Sequence, residues 1–163
     1  MGYTHYYNLK SKASKKKWNE FVGECNILHN SLDHVAIKDG SGDTNTKPIF
    51  NTEAVCFNGD EVDDLCHETF YLDQNSTEFN FCKTARKPYD LMVMACLIAA
   101  NKTMGLLFKS DGFNNDGTVD QEMIDGINFY NETVKPKNKI TGDPDPVTED
   151  ELWLIRKKYN NQR

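Results

Sequence analysis

Apolar positions recur at helical spacing between Ser14 and Leu32, where Trp18, Phe21, Val22, Cys25, Leu28 and Leu32 fall on one stripe. Ser14 is placed to cap that helix. Before it, aromatic-rich Tyr3 to Leu9 reads as a strand. A second strand is expected over Ile49 to Phe57, weakened by the polar run Asn51 to Glu53. Asn58-Gly59-Asp60 signals a turn, and the acidic residues to Asp64 continue that loop. Two short strands follow, His67 to Leu72 and Phe79 to Cys82. Lys87 to Met104 is apolar nearly all round, with Pro88 suited to a first helical position and Gly105 to a stop. Leu106 to Lys109 reads as a strand, Ser110 to Gly117 as a loop, and Val119 to Val134 as a further helix.

Beyond Val134 the composition changes. Residues 135–147 carry Lys135-Pro136-Lys137 and Gly142-Asp143-Pro144-Asp145-Pro146, which reads as a linker. Thr148-x-x-Glu151 is a capping box for a last helix containing Leu152, Trp153, Ile155 and Tyr159. The expectation is an α+β fold: a small mixed or antiparallel sheet packed by about three helices, with a C-terminal helical appendage. Its parts would be a core domain over 1–134, the linker over 135–147 and the helix over 148–163.

Composition narrows the class. The 163 residues suffice for one core, and 38% hydrophobic content supports packing rather than disorder. A net charge of −6 argues against a general nucleic-acid binder. Cys25, Cys56, Cys66, Cys82 and Cys96 are odd in number and lack a Cys-x-x-Cys pair, so neither a disulfide framework nor a zinc site is expected. Cys25 and Cys96 read as core residues. The start of the chain lacks the basic-then-apolar pattern of a signal peptide, and Leu91 to Ala100 is too short to span a bilayer. A cytoplasmic protein without a membrane segment is expected.

The segment Lys83-Thr84-Ala85-Arg86-Lys87 holds the most chemistry. Three cations just ahead of a helix oppose its dipole, and a bound anion would resolve the conflict. Arg86 would act as a fork, Lys83 and Lys87 as point charges, with Thr84, Asp90 and Asp111 nearby. The structural reading of the same residues pairs Arg86 with Asp90 or another carboxylate and leaves the lysines solvated. Lys15, Lys16 and Lys17, in the first turn of the first helix, read as a solvated face. His67-Glu68-Thr69-Phe70 matches one half of the two-histidine phosphoesterase pattern. Its partner would be His5-Tyr6-Tyr7, with tyrosine in place of the hydroxyl residue, so the catalytic candidates are His67, His5 and Thr69. Asp111 to Glu122 fails as a calcium loop because Phe113 and Asp116 occupy key positions. Gly40-Ser41-Gly42 lacks a third glycine and a Walker lysine, so no cofactor and no metal is expected.

These motifs resemble an uncharacterised family of small phage and bacterial proteins. The likeness lies in Gly2-Tyr3-Thr4-His5-Tyr6, Phe57-Asn58-Gly59, His67-Glu68-Thr69-Phe70, Phe81 to Asp90 and Ser110-Asp111-Gly112. It covers residues 1 to 112 in patches and implies a phage-type protein acting in the host cytoplasm. The expectation is sequestration of a phosphorylated small molecule of nucleotide type, a signal of host defence. The alternatives are a protein-binding inhibitor of a host defence enzyme using the Trp153-bearing tail, and a phosphodiesterase with paired histidines. Homo-oligomers are left open.

Overall fold

The computed structural model describes residues 2–137 and 140–162. It is an α+β fold of seven strands and four longer helices among the described residues. The first strand, β1 (Thr4–Asn8), is central in an antiparallel three-stranded sheet. It lies between β6 (Asn80–Lys83) and β7 (Leu107–Ser110). Residues alternate across it: His5 and Tyr7 are sealed inside, while Tyr6 faces outward. A second antiparallel sheet is built on β4 (Val55–Gly59), which pairs with β2 (Ile37–Lys38), β3 (Ile49–Phe50) and β5 (Phe70–Leu72).

Helix α1 (Lys15–Ser31) begins where Ser14 Oγ accepts from the Lys17 amide, as the capping rule requires. It buries Trp18, Phe21, Cys25 and Leu28. Helix α2 (Asp90–Met104) has eleven buried residues out of fifteen, which is why its sequence shows no polar face. Gly105 ends it at φ 70°, a left-handed C-terminal position that suits glycine. Helix α3 (Gln121–Val134) is capped by Asp120 and packs beside α2. Helix α4 (Glu149–Gln162) opens with Thr148 Oγ1 accepting from Glu151 N–H and lies on β7. Val147, Leu152 and Ile155 belong to the same apolar cluster as α1 and α2. Of the expected linker, residues 138 and 139 lie outside the described residues. In the rest of it, Asn131 holds Val147 through both its side-chain atoms, and Lys137 bridges to Pro144.

Three expectations need correction. Ile49 to Phe57 is not one strand, because Asn51 turns the chain: its Oδ1 accepts from Glu53 and Ala54 N–H, separating β3 from β4. Asn58-Gly59 is no hairpin turn but the buried end of β4. There the Asn58 side chain holds the Gly40 and His67 backbones, and a Cβ on Gly59 would stand 2.1 Å from the Leu65 carbonyl oxygen. Helix α2 starts at Asp90, not Lys87, because Ala85 and Arg86 take φ of 51° and 61°.

Candidate functional site

The basic segment therefore lies in a turn ahead of α2 rather than in its first turn. Lys87 N–H donates to the Thr84 carbonyl at 3.0 Å, closing four residues whose two central φ values are both positive. That is the mirror-image type I′ turn, which normally takes Gly, Asn or Asp at both central positions. Ala and Arg hold it here at a cost of roughly 1 kcal/mol or more each. The turn is tied to β1, since Thr84 and Ala85 N–H both donate to the Tyr3 carbonyl.

Under the turn is a buried polar lock. Asp90, at the start of α2 and 4% exposed, accepts from His5 Nε2 at 2.6 Å and from Thr84 Oγ1 at 2.6 Å. His5 Nδ1 is buried with no hydrogen-bond partner, so Nε2 carries the proton that Asp90 accepts. The lock joins the central strand, the turn and the helix start, and its negative charge complements the helix dipole. Asp111 does similar work at the strand's beginning: its Oδ2 accepts from Thr4 N–H, and its own amide donates back to Thr4.

Above the lock, Arg86 stacks over the Tyr3 ring at 4.2 Å and bonds to Glu122, with Asp120 at 3.7 Å. Only Nη1 is used in these contacts. Tyr3 donates its hydroxyl to Asp120 at 3.0 Å, and burial together with that carboxylate pushes its pKa far up. Lys87 bonds to Asp64, which it holds below the usual carboxylate range. The arginine and lysine stand at one end of a groove of about 460 Å³ between α2 and α3. Pro88, Leu91, Met94 and Phe129 give it apolar lining, while Glu122, Asp125, Asn128 and Glu132 supply polar atoms along α3. Glu122 is held below the usual carboxylate range by its own amide and by Arg86.

The other candidates stand apart from the groove. His67 is exposed, and its Nδ1–H donates to the Lys83 carbonyl at 2.8 Å. Thr69 donates to the Gly40 carbonyl, a bond that fastens the second sheet to its neighbouring loop. His5 is sealed under Asp90 with no exposed surface, so the paired-histidine geometry of a phosphoesterase does not form. Lys83 is not among the groove residues; its backbone pairs with Glu68, whose carboxylate accepts from the Lys83 amide. What sequence reading missed is the α3 wall and Tyr3. The available signal was Asp120 followed by an amphipathic helix, which marks an element without saying which neighbour it meets.

Among the described residues, no group of three His, Cys, Asp or Glu side chains is arranged to hold a metal ion. No helix among them is long and apolar enough to cross a membrane. Compared with protein-family models, with curated proteins and with solved structures, the chain matches none. The motif likeness to small phage and bacterial proteins gains no support there.

Proposed function

We propose that the protein binds a phosphorylated small molecule of nucleotide type in the groove between α2 and α3 and holds it intact. The observation that carries this reading is the strained turn. Two non-glycine residues stay left-handed to present Arg86 at the groove mouth, and backbone strain of this kind gathers where a ligand is clamped. Arg86 and Lys87 would take the phosphate. The Arg86 pair with Glu122 is partly exposed, worth about 0–1 kcal/mol, so an anion displaces it cheaply. Phe129, Leu91 and Pro88 suit the flat face of a base, and the α3 carboxylates suit sugar hydroxyls or base amines. Retention is the reading to test first because the two candidate histidines do not meet at the groove: His5 is sealed under Asp90, and His67 lies outside the groove on the Lys83 carbonyl. The resemblance to phage proteins makes a nucleotide signal of host defence the ligand class to test first.

A thermal-shift screen against nucleoside mono-, di- and cyclic phosphates tests the proposal. One ligand should raise the melting temperature, Arg86→Ala should abolish that rise, and chromatography should return the ligand unchanged. No shift with any of them would overturn it.

A further inference from the structure

The face of the first sheet turned away from α2 carries an aromatic array that the groove does not use. Tyr6 on β1 stands directly opposite Phe81 on β6 and Lys109 on β7. Phe79, just before β6, stacks on Tyr6 with centroids 6.0 Å apart and an interplanar angle of 27°, and meets Phe81 at 6.0 Å. Phe81 is 50% exposed and Phe79 47%. Helix α4 covers the β7 side, where Leu107 is 3% exposed. A cleft of about 260 Å³ remains between Tyr6, Phe79 and Lys109 on the sheet and Tyr159 and Asn160 on the helix.

Two cations flank this array. Lys83 lies on the same face, opposite Thr4, with Lys109 at the far side of Tyr6. The lysines found in ion pairs among the described residues are Lys38, Lys87 and Lys102, so neither Lys83 nor Lys109 is neutralised in that way. The edge of β6 is already capped: Phe81 N–H donates to the Asn80 side chain and Lys83 N–H to Glu68. An added strand, from a second copy or a peptide, therefore loses these edge donors.

We infer that this face is a platform for single-stranded nucleic acid, with bases stacked on Phe81, Tyr6 and Phe79 and the backbone phosphates on the flanking lysines. Stacking accounts for rings left on a sheet face, which a purely acidic partner would not need. The net charge of −6 is no bar at this range, since exposed charges beyond about 8 Å are screened at physiological salt.

The test is fluorescence anisotropy with a labelled oligouridylate and an oligothymidylate of about 12 nucleotides, against a duplex of equal length and polyglutamate. Binding should favour the single strands and weaken as salt rises. Phe81→Ala and Tyr6→Ala should each weaken it about tenfold while the melting temperature holds, and Lys109→Glu should weaken it as well. No binding would overturn the inference. So would equal binding of duplex or polyglutamate with no effect of Phe81→Ala, which would mean lysines attracting any polyanion. A dimer in light scattering that Phe81→Ala converts to monomer would also overturn it, by assigning the face to a second copy.

Discussion

Asp90→Ala should be among the most damaging single substitutions in this chain. It removes the acceptor for two donors that water does not reach, His5 Nε2 and Thr84 Oγ1, both at 2.6 Å. Each donor left unsatisfied in the interior costs about 1–3 kcal/mol. Loss of a favourable charge at the start of α2 adds about 0.5 kcal/mol. The sum, about 2.5–6.5 kcal/mol, brackets the usual cost of removing one member of a buried polar pair. With a urea m-value of about 2 kcal/mol/M, the unfolding midpoint should fall by about 2 M. The partner variants separate lock from packing. His5→Leu alone leaves a buried carboxylate short of a donor, whereas His5→Leu with Asp90→Leu removes both ends and should recover part of the loss, with a coupling of about 1–3 kcal/mol. A midpoint shift under about 0.5 M for Asp90→Ala, or strict additivity in the double variant, would refute the lock.

Further outcomes follow from the same geometry. Ala85→Gly should raise the melting temperature by about 2 °C, since it relieves a left-handed residue at the cost of a freer unfolded chain, and an unchanged or lower value in calorimetry would argue against stored strain. Gly59→Ala should cost about 2–3 kcal/mol by chemical denaturation, because the new methyl meets the Leu65 carbonyl and the buried strand end must move. Acid should destabilise the fold. Asp39, Asp60, Asp64 and Asp116 are held below the ordinary carboxylate range by Ser41, Thr44, Lys87 and Thr118 respectively. Because these folded-state values lie below the unfolded ones, their stabilisation is present above about pH 4 and is lost as pH falls through the folded values. Urea midpoints that stay flat between about pH 5 and pH 2 would contradict this.

Local signals carried most of the elements. The α1 stripe, its Ser14 cap, the all-apolar α2 with Gly105 behind it, and the Thr148 cap of α4 could each be read within a few residues. Partner choice could not. Asn58-Gly59 spells a turn locally but is needed for a side-chain hub and a close backbone approach, both set by residues from three other segments. The basic segment stands out in the sequence because its charge offends a helix start, yet the actual device is a left-handed turn of Ala85 and Arg86 that propensity argues against. Its carboxylate partners, Asp120 and Glu122, lie more than thirty positions away in the chain, and no local pattern points from Arg86 to them. His5 and Asp90 meet across 85 residues, which turns a catalytic candidate into part of a sealed lock.

The most direct test of the groove is a titration of labelled protein with the nucleotide that gives the largest thermal shift, followed by amide chemical shifts. Binding at the proposed site predicts changes confined to the Arg86–Leu91 turn and to the α3 wall from Glu122 to Glu132, and none in Arg86→Ala. Changes centred on Tyr6, Phe79 and Phe81, or spread without focus over the chain, would contradict it.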